Sequence, residues 1–311
     1  MSSPKTWLQL VCIASKKHHE QIETVMDSAG ALSITWQDAE DNPVLEPLPG
    51  ETPLWESLII TALFDSGSDL SLLSKQLDIN KSEWEIQKYH IEVLQDQDWE
   101  RVWMKDFHPM CFGENLWIIP SNTSTSEIEE IQENKNAITV LLDPGLAFGT
   151  GTHPTTALCL EWLDENPPKD ITVVDFGCGS GILAVAATKL GATLISATDI
   201  DPQALTATKD NMLRNQIDTN KILCFLPENC PQDPVDLVLA NILCGPLLEL
   251  FPHLSALVKS GGKIVVSGLL EAQKQSIIDT YSAHFFDFHV KQQGDWIRIS
   301  ATKKTNQGII Q

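Results

Sequence analysis

A glycine-rich segment stands where an apolar run meets an alanine-rich run, at residues 174–181 with the sequence VDFGCGSG. Glycines let the backbone pass close to a ligand, because no Cβ stands in the way. Ligands of open α/β sheets bind at the carboxyl ends of the strands. The pattern therefore predicts a ligand-binding turn that joins a buried strand to a helix, with a merely tight turn as the alternative.

The acids beside this turn favour S-adenosylmethionine over other nucleotides. The dinucleotide fingerprint G-x-G-x-x-G fails because Ile182 occupies the place of the third glycine. A P-loop is excluded because no Gly-Lys-Ser/Thr occurs. Asp175 precedes the glycines, where a carboxylate suits a ligand with an ammonium group and repels a pyrophosphate. Asp199 ends the next predicted strand, and its carboxylate can accept both hydrogen bonds of a ribose diol.

Two further segments are expected to bring polar side chains to the same crevice. Residues 236–243 (DLVLANIL) predict a buried strand that ends at Asn241. This amide can hold the cofactor, accept a hydrogen bond from an incoming amine, or cap the following helix. Upstream, residues 142–156 hold three glycines, two prolines and four threonines, a composition that favours a lid and a helix cap at Thr155 or Thr156. No motif in the sequence pairs His153 with a second catalytic residue, so a structural role is more typical of this histidine.

The hydrophobic pattern divides the chain into parts that must position these residues. Residues 1–95 follow the order β-α-β-β-α-β, which predicts a small ferredoxin-like α+β domain. Residues 96–107 predict a linking helix. In residues 108–311 apolar strands alternate with helices and predict a Rossmann-like α/β domain with a mostly parallel, seven-stranded sheet. The last two strands are expected to form an antiparallel hairpin at the sheet edge. Local predictions within this domain are a strand at 111–120, a polar loop at 121–126, a helix at 246–259 and a turn at 261–262.

Composition limits the classes of partner. The 311 residues include 21 basic and 42 acidic ones, for a net charge of −21. The electrostatic field of such a negative charge repels phosphate backbones and attracts basic proteins.

The sequence also bears on the cellular compartment. No apolar run approaches the ~18 residues that span a bilayer, and the N-terminus lacks the layout of a secretory signal. The seven cysteines include no Cys-x-x-Cys pair. We therefore expect a cytoplasmic protein with reduced thiols, no metal, and no contact with nucleic acid or membrane.

Taken together, the motifs resemble the ribosomal protein L11 methyltransferase family, often called PrmA. The resemblance rests on residues 142–156, on 174–181, on 198–202 (TDIDP) and on 240–243 (ANIL). It is strong over about residues 136–270, whereas in the N-terminal third only length and element order agree. It implies a substrate-recognition domain followed by an S-adenosylmethionine-dependent methyltransferase domain. It also implies trimethylation of lysine side chains and of the N-terminal amine of L11, a protein of the large ribosomal subunit.

The resemblance further implies which residues bind the cofactor. Carried over by motif, the expected cofactor-binding residues are Thr156, Gly177, Gly179, Asp199 and Asn241. Many amine and nucleobase methyltransferases place two prolines and an aromatic residue behind the Asn, whereas Ile242 and Leu243 follow here. The lack of an aromatic wall disfavours a flat base as substrate, and it leaves the residue that orients the amine unidentified. Apolar walls for the amine are expected from residues 146–148 and Ile242.

We identify no catalytic residue, because methyl transfer to a neutral amine depends mainly on positioning. A small-molecule N- or O-methyltransferase is the alternative enzyme, although it would need no separate recognition domain. A non-catalytic binding module is disfavoured by the intact acids and glycines of the cofactor signature. We expect the protein to act as a monomer.

Overall fold

The computed structural model describes residues 6–40, 54–95, 107–143, 149 and 151–305. The chain divides into two compact units, Met1–Asp98 and Trp99–Gln311. Residues 96–106, which carry most of the predicted linking helix, lie outside the described residues, and so do residues 146–148 of the expected apolar wall. In the part of the chain that is described, no helix has the length and apolarity to cross a membrane.

The first unit is a four-stranded antiparallel sheet with two helices. Its elements are β1 (Thr6–Ser15), α1 (His19–Ser28), β2 (Ser33–Asp38), β3 (Ser57–Asp65), α2 (Ser71–Ile79) and β4 (Ile86–Gln95). The strand order is β2-β3-β1-β4, and every neighbouring pair is antiparallel. Alternate side chains of β1 and β3, such as Leu10 and Ile60, are buried against Ile22 of α1 and Leu73 of α2. The element order β-α-β-β-α-β is the one predicted from the hydrophobic pattern.

The second unit contains the remaining strands and helices. They are β5 (Met110–Phe112), β6 (Leu116–Ile119), α3 (Thr125–Glu133), β7 (Ile138–Leu141), α4 (Pro154–Glu165), β8 (Thr172–Phe176), α5 (Ile182–Lys189), β9 (Leu194–Thr198), α6 (Pro202–Arg214), β10 (Ile222–Phe225), β11 (Val235–Asn241), α7 (Cys244–Glu249), α8 (Phe251–Ala256), β12 (Val258–Leu270), α9 (Lys274–Tyr281), β13 (Phe285–Gln293) and β14 (Trp296–Lys303).

A seven-stranded mixed sheet forms the centre of this unit, in the order β10-β9-β8-β11-β12-β14-β13. The strands from β10 to β12 are parallel, whereas β14 runs antiparallel to both of its neighbours. The predicted terminal hairpin is present, and β14 lies inside the sheet, between β12 and β13. Along β11, Leu237 and Leu239 join one core cluster, while Val238 and Ala240 join the other. Helices therefore cover both faces of the sheet, as in α/β folds.

The segment 110–141 differs from its prediction. The expected strand at 111–120 is a hairpin of β5 and β6 that turns at Gly113, where φ is +73°. Asp164 of α4 holds the turn, since its carboxylate accepts the backbone N–H of Glu114 at 2.6 Å. The predicted polar loop at 121–126 runs into α3, which was missed although Ser124 and Glu127 form a capping box at its start.

Two other expectations beyond β9 were wrong, and one strand was missed. The predicted helix at 246–259 is divided into α7 and α8, because Pro252 has no N–H to continue the first helix. The expected turn at 261–262 lies within β12 as an irregularity, since Val235 pairs with Val258 but Leu237 pairs with Lys263. Strand β10 is only four residues long, and its pattern gave no clear period.

Asp236 joins the starts of three neighbouring strands. Its carboxylate accepts the backbone N–H of Thr172 at 2.9 Å and the Thr172 hydroxyl at 2.7 Å. Lys259 of β12 donates to both carboxylate oxygens, at 2.9 and 3.0 Å. Partial burial alone would raise the pKa of Asp236, but the hydrogen bonds from Thr172 and Lys259 outweigh it and lower the pKa to about 2. The ionised carboxylate therefore stabilises the alignment of β8 with β11.

We expect Asp236→Asn to lower the free energy of unfolding at neutral pH by about 1.5 kcal/mol, because hydrogen bonds to a charged group are lost. Because the pKa of Asp236 is lower in the folded than in the unfolded protein, its carboxylate stabilises the fold at any pH above the ordinary carboxyl pKa. This stabilisation is lost as the pH falls from the ordinary pKa towards the pKa of Asp236 in the folded protein. The gap between wild type and variant, measured by urea unfolding, should therefore narrow below about pH 4. Asp233→Asn, at an exposed position nearby, should match wild type throughout. A gap that stays constant down to about pH 3 would contradict this role.

Candidate functional site

The carboxyl edge of the large sheet carries a row of residues that the strand register brings together. The residues in register across β9, β8, β11 and β12 are Thr198, Phe176, Ala240 and Val266. The next residues along the four strands are Asp199, Gly177, Asn241 and Ser267. Three of the residues predicted to bind the cofactor are therefore neighbours in this row, although they are distant in sequence.

The glycine-rich turn adopts backbone angles that favour glycine. The φ angles of Gly177, Gly179 and Gly181 are +74°, +52° and +76°. A Cβ on Gly177 would overlap Cγ2 of Ile242, and one on Gly181 would lie 2.6 Å from Cγ2 of Thr208. These close approaches, together with the left-handed angles, leave no room for a side chain at either position.

Asp199 lies beside the turn, and hydrogen bonds within the protein occupy only some of the acceptor positions of its carboxylate. One carboxylate oxygen accepts the N–H of Gly179 at 2.9 Å, and the other accepts the N–H of Asp201 at 3.0 Å. The side chain is half-buried. A carboxylate offers about four lone-pair positions, so Asp199 can accept two further hydrogen bonds, the number that a ribose diol donates.

Asp175 does not take the ligand-facing position that its sequence context suggested. It is 1% exposed, and its carboxylate accepts the backbone N–H of Ala184 at 3.0 Å, in the first turn of α5. Burial raises the pKa of Asp175 to about 7, and the nearby charge of Asp199 adds to the shift. Asp175 thus accepts one of the backbone N–H groups that have no partner within α5, a role for which short acidic side chains are well suited.

Asn241, at the end of β11, is hydrogen-bonded to Thr156, in the first turn of α4. The Asn241 amide Nδ2 donates to the Thr156 hydroxyl at 3.1 Å. Asn241 Oδ1 is buried and has no hydrogen-bond partner among the described residues. A buried acceptor without a partner costs about 1–3 kcal/mol, and such groups are rare in folded proteins. This oxygen can therefore accept a hydrogen bond from a ligand that reaches the end of β11.

Neither Asn241 nor the two threonines of the predicted cap occupies a helix N-cap. Helix α7 has Leu243 at its N-cap and no side-chain cap, so Asn241 is not its capping residue. The expected cap of α4 by Thr155 or Thr156 was wrong, because His153 occupies the N-cap and accepts the N–H of Thr155 at 3.4 Å. The structural interpretation of His153 is thus supported, and burial lowers the pKa of its imidazole.

A cavity of about 340 Å³ adjoins the row of site residues. Its lining residues are His153, Thr155, Asn241, Ile242, Leu243, Gly268 and Trp296, and the exposed lining is almost wholly apolar. Gly268, with φ at +84°, lets β12 approach the backbone of Ile242 closely. Trp296 was missed from the sequence, because no local motif marks the first residue of β14 as part of the site.

The chemistry of the described residues argues against two other kinds of site. No group of three or more histidine, cysteine or acidic side chains among them is placed to hold a metal ion. Five of the seven cysteines are buried. Burial raises the pKa of the Cys12 and Cys159 thiols to about 12, so these thiols are not activated nucleophiles.

Comparisons with known proteins extend over both units. Residues 6–304 match the family described as ribosomal protein L11 methyltransferase (PrmA). A ribosomal protein L11 methyltransferase of Vibrio campbellii is 48% identical over 300 residues, which cover 96% of this chain and 99% of the relative. One from Haemophilus influenzae (strain PittEE) is 46% identical, with the same shares of both chains covered. A crystal structure of ribosomal protein L11 methylase from Lactobacillus delbrueckii subsp. bulgaricus is 32% identical, with a TM-score of 0.55. It covers 64% of this chain and 100% of that chain.

Gly177→Ala is expected to lower the free energy of unfolding by about 1–3 kcal/mol more than Gly261→Ala, because an added methyl group must displace Ile242. The two glycines share left-handed φ angles, +74° and +79°, but a Cβ on Gly261 meets nothing within 4 Å. Comparison of the two variants therefore distinguishes the effect of the contact with Ile242 from the effect of the left-handed backbone angle on stability. Urea unfolding of both variants is the measurement, and equal losses would show that the contact with Ile242 is unimportant.

Proposed function

Because this chain belongs to the ribosomal protein L11 methyltransferase family, we propose that it transfers methyl groups from S-adenosylmethionine to amines of L11. The observation that carries the proposal is the row formed by Asp199, Gly177 and Asn241. At one end of the row, the buried Oδ1 of Asn241 has no hydrogen-bond partner in the described part of the chain. The row offers a diol acceptor, a close backbone approach and an amine acceptor in that order.

The residues of this row fit the proposed cofactor. Asp199 has two lone-pair positions to spare for a ribose. Gly177 and Gly179 are only partly buried, so a ligand can approach the backbone there. Thr156 accepts a hydrogen bond from the Asn241 amide and thereby helps to orient it. S-adenosylmethionine, when bound, supplies an electrophilic methyl group. A dinucleotide fits less well, because it needs free N–H groups at the start of the helix for its pyrophosphate. Asp175 and Ser180 already accept the N–H groups of Ala184 and Ile182 there.

The acceptor must present a neutral nitrogen with a free lone pair. Lysine side chains have a pKa near ~10.4 and α-amines near ~7.7–8.0. The apolar side chains of Ile242 and Leu243 favour the uncharged form, because burial disfavours an ammonium ion. Asn241 Oδ1 can accept a hydrogen bond from the amine and orient it. The protein then acts mainly by positioning, and no side chain of the enzyme needs to form a covalent bond.

The two units are proposed to divide the work. We assign the first unit to the ferredoxin-like class and to recognition of L11, and the second to binding of the cofactor and the target amine. A net charge of −21 favours a basic protein as partner. We also propose that the enzyme acts as a monomer, and a ribosomal substrate implies a cytoplasmic reaction. A small-molecule methyltransferase would have no need for the first unit, which the family match includes.

Purified L11 incubated with this enzyme and S-adenosylmethionine should gain mass in steps of one methyl group. Fragmentation should place the methyl groups on lysine side chains and on the N-terminal amine, up to three on each nitrogen. An L11 preparation with acetylated amines is the matched control and should gain nothing. Unmodified L11 after complete incubation with folded enzyme would contradict the proposal.

Asp199→Asn should raise KM for S-adenosylmethionine by about 10-fold to 100-fold, since hydrogen bonds to a charged acceptor contribute about 1.5–3 kcal/mol. Steady-state methylation of L11 measures the change. Asp210→Asn, on the exposed surface of α6, is the control and should behave as wild type. An unchanged KM in Asp199→Asn would show that this carboxylate does not hold the cofactor.

A further inference from the structure

We propose that the cavity beside Asn241 holds the acceptor amine and that Trp296 is its cation-binding wall, an inference that rests on the proposed methyltransferase function. The residues around the cavity come from four places in the second unit: the end of β11, the start of α4, a second irregularity in β12 at Gly268, and the first residue of β14. Its volume of about 340 Å³ is at the low end of the ~300–1,000 Å³ typical of ligand sites. This size suits the end of one side chain rather than a nucleoside.

Ile242 connects the cavity with the glycine turn. Ile242 lines the cavity, and its Cγ2 lies against the Cα of Gly177, where a Cβ would overlap it. Asn241 also lines the cavity. A nitrogen atom held here would therefore lie next to the row that is proposed to bind the cofactor. This position suits the nitrogen that receives the methyl group, because that nitrogen must approach the methyl carbon from the side opposite the sulfur of the cofactor.

The products of the reaction require more than a hydrogen-bond acceptor. Each methylated amine is a cation when protonated, and a trimethylated amine is a permanent cation without any N–H. Asn241 cannot hold a trimethylammonium group by a hydrogen bond, because that group has nothing to donate. The face of an aromatic ring attracts such cations, and tryptophan does so most strongly. None of the described residues that line the cavity is an acid, so the indole is the group suited to this task.

Neighbouring residues hold the Trp296 ring in place. The His153 imidazole packs edge-on against the indole, with ring centroids 4.7 Å apart and an interplanar angle of 69°. His153 is itself held by the Thr155 hydroxyl, 2.8 Å from Nδ1. Burial lowers the pKa of His153, so at neutral pH its ring brings no positive charge to repel an ammonium group. Trp296 thus supplies from β14 the aromatic wall that is missing directly after Asn241 in the sequence.

The direct test is binding of a trimethylated amine to the full-length protein. Nα-acetyl-Nε-trimethyllysine amide should shift the indole N–H signal of Trp296 in NMR spectra, and the signal is assigned by its absence in Trp296→Phe. The uncharged analogue with a tert-butyl group in place of trimethylammonium should shift it much less. Trp296→Ala should weaken binding by about 2-fold to 30-fold, as expected for loss of a cation–π contact. Trp296→Phe should retain part of the affinity.

The same variants should change the products formed on L11. We expect Trp296→Ala to release more mono- and dimethylated amine and less trimethylated amine, with unchanged affinity for S-adenosylhomocysteine. Phe286→Ala removes another aromatic ring, 50% exposed on β13 and outside the cavity, and should match wild type in both assays. Because the NMR test needs only the conservative variant Trp296→Phe, for assignment of the signal, misfolding of Trp296→Ala would leave the proposal open to refutation.

The inference is overturned if wild-type Trp296 does not respond to the trimethyllysine probe, or if folded Trp296→Ala binds the probe and trimethylates L11 as wild type does. Both outcomes leave the proposed function standing, provided that wild type methylates L11. Failure of wild type to methylate L11, despite binding of S-adenosylhomocysteine, would instead refute the proposed function.

Discussion

The register of β8 between β9 and β11 determines where Asp199, Gly177 and Asn241 lie. Because Phe176 pairs with both Thr198 and Ala240, the residues that follow these three positions meet at one edge. A slip of one residue in either pairing would turn the side chains of that strand to the opposite face. Val174 and Val238 are buried in one core cluster, Leu237 and Leu239 in the other, so such a slip would also disrupt both clusters. Packing of the core therefore fixes the geometry of the site.

Close backbone approaches connect the two halves of the site. Gly177 lies against the side chain of Ile242, and Gly268 lies against its backbone. Ile242 thus stands between the glycine turn and the cavity, and its position depends on two residues without side chains. Asn241, its neighbour, keeps a buried oxygen that no described residue contacts by a hydrogen bond, and such an oxygen costs about 1–3 kcal/mol in stability while it lacks a partner. A ligand that donates a hydrogen bond to this oxygen would remove the cost, so binding of such a ligand should also raise the free energy of unfolding.

Local signals in the sequence predicted one part of this site well. The glycine turn, the acid after the second parallel strand and the amide after β11 each follow a buried strand, and parallel strands bring their ends to one edge. Trp296 could not be predicted in this way, because its position depends on how β14 inserts antiparallel between β12 and β13. The role of Asp175 was also misjudged, since its spacing from the glycines does not reveal that its side chain turns towards α5. Short elements such as β10 and the β5–β6 hairpin carry too few residues to show a period.

The central claim is that the edge formed by Asp199, Gly177 and Asn241 is shaped for a sulfonium-bearing nucleoside. Calorimetric titration of the wild-type protein with S-adenosylhomocysteine, and in parallel with NAD, tests it most directly. We expect one site per chain for S-adenosylhomocysteine and no heat of binding for NAD. Tight binding of NAD by folded protein that has no affinity for S-adenosylmethionine or S-adenosylhomocysteine would contradict the account.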